Sequence, residues 1–363
     1  MPTSLLKRGT PSSLRLSPHR SLRRVRCQAD DVASVDEERR IRRVLKVDDE
    51  TVLSYSSLSF GYCNSVKLVK MPALKEPVVV KLYSDLSLTR TEPGQRGLID
   101  EITDNAGLGP HVFSSTEEGI AHSFFEGRVL EERDMHTRAD VGAPVAQLVA
   151  NFHSLPIPPA FDTSTPLLWK QLDRMLDEIS ASENLDALPD SVNLQALHGE
   201  VEKMVEAVRG REISSQSGLK VVLGHGDLKP SNIMLVSQDP EVEVKLIDLE
   251  LAGPNYRGFD LMKLFRTKPE MYSDIRFTDF LKEYCRALQL EDDETAVREL
   301  EAETKLFEPL TWLEAAIFFA LMVVKENDTA QNVELLIDRW ERYRSKRWMV
   351  QFHKTALGRL REV

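Results

Sequence analysis

Between Val52 and Tyr83 the apolar residues come in short runs separated by turn-forming stretches, and their spacing is that of strands. Val52-Leu53 precedes a Ser/Gly/Asn turn; Val66-Lys67-Leu68-Val69 follows, then a Pro-bounded loop, then Val78-Val79-Val80-Lys81-Leu82-Tyr83. This pattern predicts a small antiparallel sheet, completed by strands around His111 to Phe113 and Ile120 to Phe125. From Val141 the period becomes helical, with Val145, Leu148, Val149 and Phe152 on one face. Residues 155–166 are Pro-rich and read as a loop, 167–181 and 193–209 as amphipathic helices, and 211–219 as a polar loop leading into a strand at Val221-Val222-Leu223. Beyond Asp260 helices are expected over 274–289, 293–304, 309–326 and 331–353, and no internal repeat is present. The fold class is therefore α+β, with the sheet near the N-terminus and helices after it.

Chemistry concentrates between the last strands. His225-Gly226-Asp227-Leu228-Lys229-Pro230-Ser231-Asn232 is followed by the apolar run Val244-Lys245-Leu246-Ile247 and then Asp248-Leu249-Glu250. Phosphoryl transfer needs an Asp to orient or deprotonate the attacking hydroxyl and oxygen ligands from two places to hold Mg²⁺ on the ATP phosphates. Asp227 fits the first role; Asn232 and Asp248 fit the second. Pro230 stiffens the path between Asp227 and Asn232. Lys81 is a charge inside an apolar strand, which needs a partner or ligand to offset desolvation unless it sits on an exposed edge. The segment Leu58-Ser59-Phe60-Gly61-Tyr62-Cys63-Asn64-Ser65 lies between two strands, where a loop either folds over phosphates or simply turns a hairpin.

These residues carry a family resemblance. HGDLKPSN is similar to the catalytic loop of the protein-kinase-like superfamily. Asp248-Leu249-Glu250 and Asn255-Tyr256-Arg257-Gly258-Phe259-Asp260 resemble the Asp-aromatic-Glu and NYRGFD segments of choline and ethanolamine kinases, and no Ala-Pro-Glu follows to close a protein-kinase activation segment. Phe124-Phe125-Glu126-Gly127-Arg128-Val129-Leu130 resembles that family's hinge and Phe152-His153-Ser154-Leu155 its AxFHxL helix. The resemblance spans about residues 50–345. It implies a bilobal kinase-like fold, with a nucleotide-binding lobe over 30–130 and a helical catalytic lobe over 131–363. It also implies ATP and Mg²⁺ as cofactors and a small-molecule alcohol as acceptor.

By the same resemblance Asp227 is the catalytic residue, Asn232 and Asp248 are the metal ligands, and Lys81 takes the α and β phosphates. Ser59, Gly61 and Asn64 belong to the phosphate loop, in which Phe60 replaces one glycine. Main chain at Phe125 and Glu126 takes the adenine edge. Glu101 on the segment Arg96 to Asn105 is the expected partner of Lys81, with Glu92 and Asp100 as alternatives. Lys229 has two open roles, contact with the γ-phosphate or solvation, as has Glu250, a metal or water ligand or a surface acid. His225 anchors the loop, and His153 is structural, satisfied by a backbone group.

The acceptor half matches less well. A quaternary ammonium is held by aromatic faces, yet the late helix reads Ile317-Phe318-Phe319-Ala320-Leu321-Met322-Val323 without Trp, Leu251 replaces an aromatic, and Thr267 stands near the place of an acidic residue. Phe265, Trp312, Trp340 and Tyr343 are the aromatics available for a cage or for core packing. Three readings follow: a choline/ethanolamine kinase-like enzyme, a related aminoglycoside- or fructosamine-type phosphotransferase, and a nucleotide-binding regulatory module without turnover.

Charge and composition narrow the setting. Residues 1–29 hold Lys7, Arg8, Arg15, Arg20, Arg23, Arg24 and Arg26 and no acid, so the net −11 of the 363 residues becomes about −18 over 30–363. An acidic body argues against nucleic acid as partner. The Arg- and Ser-rich, acid-free start has the composition of an organelle transit peptide, cleaved near Cys27, for which plastid is favoured over mitochondrion and cytoplasm. Cys27, Cys63 and Cys285 form no disulfide framework or zinc spacing. The most apolar stretch, Ala315 to Val324, is too short to span a bilayer. A homodimer is left open as the assembly.

Overall fold

Three consecutive valines ahead of Lys81 need cover on both faces of their strand, and the fold supplies it. The protein is described as a computed structural model covering residues 34–58, 63–92, 94–214, 219–238, 241–267, 275–290, 294–325 and 330–349. The expected transit peptide, with Cys27, lies outside the described residues. The N-terminal part runs α1 (Val35–Leu45), β1 (Ser54–Ser57), β2 (Ser65–Lys70), β3 (Val78–Leu82), α2 (Asp85–Arg90), α3 (Leu98–Asn105), β4 (Val112–Thr116) and β5 (Gly119–Ser123), and its strands form an antiparallel sheet in the order β1-β2-β3-β5-β4. Register decides what each side chain faces. Leu68 lies opposite Val79 and Val66 opposite Lys81. Val78, Val80 and Leu82 bury against Ile41 and Val44 of α1. Val79 packs with Leu58, Leu68 and Phe124 on the other face, which Lys81 shares by strand alternation.

Two features depart from the hydrophobic pattern. The first strand falls on the polar run Ser54–Ser57, not on Val52-Leu53, and Val52 is 70% exposed. An edge strand with one neighbour needs little apolar surface, so serines serve there. Helix α1 buries only Ile41 and Val44, too few to give a periodic signal. It is fixed by polar contacts instead: Ser34 accepts the Glu37 N–H at 3.1 Å, Arg40 donates to the Tyr83 carbonyl at 2.7 Å, and Arg43 pairs with Glu118 at 2.8 Å. Acids in its first turn and arginines in its last complement the helix dipole.

The C-terminal part continues with β6 (Arg128–Val129), α4 (Glu132–Thr137), α5 (Ala139–His153), α6 (Leu167–Ser180), α7 (Leu194–Ser214), β7 (Val221–Gly224), β8 (Ile233–Ser237), β9 (Glu243–Leu246), β10 (Gly253–Tyr256), α8 (Arg257–Phe265), α9 (Ile275–Ala287), α10 (Glu294–Leu306), α11 (Glu308–Lys325) and α12 (Ala330–Lys346). Helix α7 runs past the expected boundary at 209 into the stretch read as a loop. One hydrophobic core joins α5, α6, α8, α9, α11 and α12. Helix α11 is buried on nearly every side. The helical run Glu294–Lys325 is long and apolar enough to cross a membrane by length and composition, a correction to the shorter stretch read from sequence, but 94% of its most apolar window is buried within the protein.

Candidate active site

Strands β7 and β10 pair antiparallel, with Gly224 opposite Gly253, so the segments that carry the two motifs leave neighbouring strand ends. Strands β8 and β9 hold the far ends together: Ile233 lies opposite Leu246, and the Ile247 N–H donates to the Asn232 carbonyl at 3.0 Å. Asn232 and Asp248 are thereby brought side by side. The loop between β7 and β8 is fastened from below by Asp260 of α8, which is fully buried. Its carboxylate accepts the His225 N–H at 2.5 Å and the Gly226 N–H at 2.9 Å, and His153 Nε2 lies 3.1 Å away. The other ring nitrogen of His153 meets the Tyr284 hydroxyl at 2.9 Å, so His153 is satisfied by side chains and not by backbone. His225 Nε2–H donates to the Ile247 carbonyl at 3.0 Å, tying the two motif segments together. Gly226 has φ +78°, and a Cβ there would sit 2.3 Å from the Leu251 carbonyl oxygen, so the turn admits no side chain.

The fastened loop presents Asp227 to two lysines. Lys263 of α8 lies 2.8 Å from Asp227 Oδ1 and Lys229 2.9 Å from Oδ2; the Asn232 amide donates to the Asp227 carbonyl at 2.9 Å. Burial pushes the Asp227 carboxyl up, but Lys229, Lys263 and Arg90 outweigh it and hold it well below the usual carboxylate range. Lys263 continues to Glu314 of α11 at 3.1 Å, and Glu314 to Arg90 of α2 at 3.2 Å.

The second cluster surrounds Lys81, which pairs with both Asp248 and Glu250. Burial opposes the Lys81 charge, yet the two carboxylates raise its pKa well above the ordinary value. Asp248 is lowered in return, Lys81 and Lys229 overcoming its burial. Asp248 adopts φ 66° and ψ 50°, a left-handed conformation that costs a non-glycine residue about 1 kcal/mol or more. Asn64 reaches in from the sheet, its amide donating to Glu250 at 2.6 Å and its carbonyl accepting the Ser84 N–H at 3.1 Å. Ser59 and Gly61, the rest of the expected phosphate loop, lie outside the described residues.

The expected pairing of Glu101 with Lys81 is not formed. Helix α3 turns Glu101 to solvent, and its neighbour Asp100 faces the cluster, where burial raises its carboxyl to about 6 against the opposing charge of Lys81. One residue of helical phase, about 100°, makes the difference. Glu92 is engaged by Arg174 at 3.0 Å. Phe125 is half-buried and Glu126 exposed on the connection from β5 to β6. At Gly127 a Cβ would meet the Leu235 carbonyl oxygen at 2.3 Å, so this connection lies directly on β8.

No aromatic cage is built from the four residues considered for it. Phe265 packs edge-on against Phe277 and Phe280, Trp340 lies on Tyr343, and the Tyr343 hydroxyl donates to Glu200. Trp312 lies beneath the guanidinium groups of Arg266, Arg339 and Arg342. All four are core residues.

Sequence reasoning passed over Lys263, Glu314, Arg90 and the anchoring role of Asp260. Lys263 in Leu-Met-Lys-Leu-Phe and Glu314 at the head of an apolar helix were both visible as charges inside buried periodic runs, a signal that asks for partners. Arg90, on a six-residue helix, gave none.

The donor chemistry suits magnesium. Among the described residues no three His, Cys, Asp or Glu side chains form a cage that would hold a metal by themselves. Mg²⁺ characteristically takes one or two carboxylates plus substrate phosphates, and the Asp248 carboxylate beside the Asn232 amide meets that requirement.

Comparison with known proteins agrees with this geometry. The choline/ethanolamine kinase family profile matches residues 56–344. A probable ethanolamine kinase of Arabidopsis thaliana is 27% identical over 300 residues, 76% of this chain and 75% of that protein. Among solved structures, choline kinase from Cryptosporidium parvum superposes with a TM-score of 0.65 at 15% identity, covering 85% of this chain and 93% of the other. The ethanolamine kinase of Plasmodium vivax superposes with a TM-score of 0.64 at 16% identity, covering 81% and 84%. With a bilobal kinase-like fold and a family match over most of its length, the chain belongs to the choline/ethanolamine kinase family of small-molecule kinases.

Proposed function

We propose that the protein transfers the γ-phosphoryl group of ATP, with Mg²⁺, to the hydroxyl of a small amino alcohol. The observation that carries this reading is that short bonds tie the Asp227 and Asp248 segments together: the Ile247 N–H donates to the Asn232 carbonyl at 3.0 Å, His225 Nε2–H to the Ile247 carbonyl at 3.0 Å, and the Asn232 amide to the Asp227 carbonyl at 2.9 Å. Two carboxylates on separate segments therefore face one space, as in-line transfer requires of the residues that serve acceptor and metal. Asp227 stays ionised far below neutral pH, which suits it to orient the acceptor hydroxyl and take its proton late, in a loose transition state. Lys229 lies where it can follow the transferred phosphoryl group. Lys81 exchanges carboxylate partners for the non-transferred phosphates, which Ser59, Gly61 and Asn64 help to hold. Main chain at Phe125 and Glu126 receives the adenine edge. Asn232 and Asp248 hold the metal, with Glu250 beside them; when bound, it neutralises the charge that builds on the phosphates. The amino-alcohol class is supported by the family and by the Arabidopsis relative.

The test is ATP consumption with Mg²⁺ across choline, ethanolamine, methylated ethanolamines, amino sugars and glycated amines, with Asp227→Ala as blank. Asp227-dependent product on an amino alcohol is expected. Product confined to an amino sugar or glycated amine would move the protein to another branch of phosphotransferases, and ATP binding without product on any acceptor would overturn the reading. Plastid delivery belongs to the same proposal, on the composition of residues 1–29. A fluorescent protein fused behind those residues should accumulate in plastids, and cytosolic signal would refute it.

A further inference from the structure

The two oxygens of the Asp227 carboxylate are held by lysines in different settings. Lys263 takes Oδ1 at 2.8 Å, and its other two N–H groups go to Glu314 at 3.1 Å and to the Gly226 carbonyl at 3.3 Å. An ammonium has three donors, so those of Lys263 are all used, and with 1% of its side chain exposed it is locked inside the protein. Lys229 takes Oδ2 at 2.9 Å, and among the described residues its ammonium makes no other hydrogen bond. Its side chain is 40% exposed. One lysine is fixed and the other is free to leave.

Oδ2 is also the oxygen on the side where the phosphates would arrive. The Asn232 amide lies 3.4 Å from it, and Asn232 and Asp248 are the residues proposed above to hold the metal. Asp248 attracts Lys229 as Asp227 does, while Arg90 repels it, so a short move of the ammonium away from Oδ2 keeps it among carboxylates. A γ-phosphate there offers it several anionic oxygens in place of one. Oδ1 is turned instead, through Lys263, towards Glu314 of α11. When Lys229 leaves, Asp227 stays ionised: burial opposes its charge, but Lys263 and Arg90 remain to offset that.

We propose that Lys229 gates the acceptor site: in the nucleotide-free protein it caps Asp227 Oδ2, the γ-phosphate of ATP draws it off, and only then does the acceptor hydroxyl donate to Oδ2. ATP therefore engages before the acceptor. This rests on the phosphotransferase reading above and adds to it which oxygen receives the proton and in what order the substrates bind. In the transfer, the acceptor oxygen bonds to the γ-phosphorus, the bond from that phosphorus to the bridging oxygen breaks with its electron pair leaving on ADP, and the acceptor's proton passes to Oδ2. Lys263 acts as a positioning residue, keeping Oδ1 occupied so that Oδ2 alone is offered.

The experiment measures acceptor dissociation constants calorimetrically for full-length wild type, Lys229→Met and Lys229→Arg, using whichever of ethanolamine, choline or the other acceptors above gives Asp227-dependent product. Each protein is titrated without nucleotide, with ADP and Mg²⁺, and with the non-hydrolysable analogue AMP-PNP and Mg²⁺. Wild type should bind the acceptor about tenfold more tightly with AMP-PNP than in either other state, the cost of displacing one charged hydrogen bond. Lys229→Met, uncapped from the start, should lose this step and bind the acceptor without nucleotide as well as wild type does with AMP-PNP, while its kcat falls about 10–100-fold for want of the contact to the phosphate. Lys229→Arg keeps a cation on Oδ2 and should keep the step. Equal affinity in all three states of wild type would overturn the inference, as would a step in Lys229→Met as large as in wild type. A step produced as fully by ADP as by AMP-PNP would overturn it too, assigning the effect to the seating of the nucleotide and not to the γ-phosphate. Each of these results leaves the kinase reading intact, because turnover by wild type is what selects the acceptor; absence of any Asp227-dependent product would fell both readings together.

Discussion

The two halves of the site are built from the same residue types with opposite balance. Around Lys81, one lysine meets Asp248 and Glu250, with Asp100 close by; around Asp227, one carboxylate meets Lys229 and Lys263, with Arg90 close by. The first half carries surplus negative charge and fits a divalent cation that must ride on phosphates. The second sets Asp227 and Glu314 among Lys229, Lys263 and Arg90, which keeps Asp227 ionised where an acceptor hydroxyl would give up its proton. The difference also reaches into the backbone. The Asp227 loop is held by buried bonds to Asp260, while Asp248 occupies a left-handed conformation kept in place by the pairing of its strand.

If the halves have these separate tasks, changes in them should fail differently. Asp227→Ala removes the acceptor-orienting group and should lower kcat by roughly 10³–10⁴-fold, near the upper range for such a group, while the nucleotide dissociation constant moves little in a direct binding titration. Unchanged turnover would break the assignment. Asp248→Asn is the matched change on the other side, since Asn tolerates the left-handed backbone. It should cost about 10²-fold in rate and raise the Mg²⁺ concentration for half-maximal activity; a Mg²⁺ titration identical to wild type would place the metal elsewhere. Asp260→Ala acts on the frame and not the chemistry. It leaves the His225 and Gly226 N–H groups buried without an acceptor, for about 2–4 kcal/mol of lost stability, measurable by denaturant unfolding, and that loss should be insensitive to Mg²⁺ and nucleotide affinity.

How much of this was legible depended on whether a feature is written in a short window or only in space. The residues Asp227, Asn232 and Asp248 share a local motif, and β3 and the long helices are periodic, so they were readable. Glu101 against Asp100 was not, because adjacent acids on a helix differ only by phase, and phase is set by how α3 packs. Helix α1 and strand β1 were missed because each has polar composition and is held by tertiary contacts such as Arg40 to Tyr83 and Ser56 opposite Leu68. Arg90, Lys263 and Glu314 come from three distant helices and meet only in the folded chain. A charge within an apolar run announces that a partner exists, but not which one.

The smallest expected effect tests the comparison through pH, because Asp227 in one half and Asp100 in the other shift in opposite directions. Asp227 has its folded pKa depressed, so its contribution is present above the unfolded carboxylate range and is lost only as pH falls through the folded value. Asp100 is raised to about 6. Between about pH 4 and 6 the folded protein holds a proton there that the unfolded chain has released, so stability falls as pH rises across that window. Asp100→Asn removes this slope and should stabilise the nucleotide-free, metal-free protein at pH 7 by on the order of 1–2 kcal/mol. His122, half-buried and lowered to about 4, contributes in the opposite direction over much the same range, so wild type alone will not display the Asp100 contribution; the difference between the two melting curves will. That difference should be near zero at pH 4 and grow towards pH 6. A constant offset across the range would mean that Asp100 titrates as an ordinary surface acid and is not desolvated beside the Lys81 cluster. Adding Mg²⁺ and ATP should shrink the offset, since positive charge brought to Asp248 lowers the cost of ionising its neighbour.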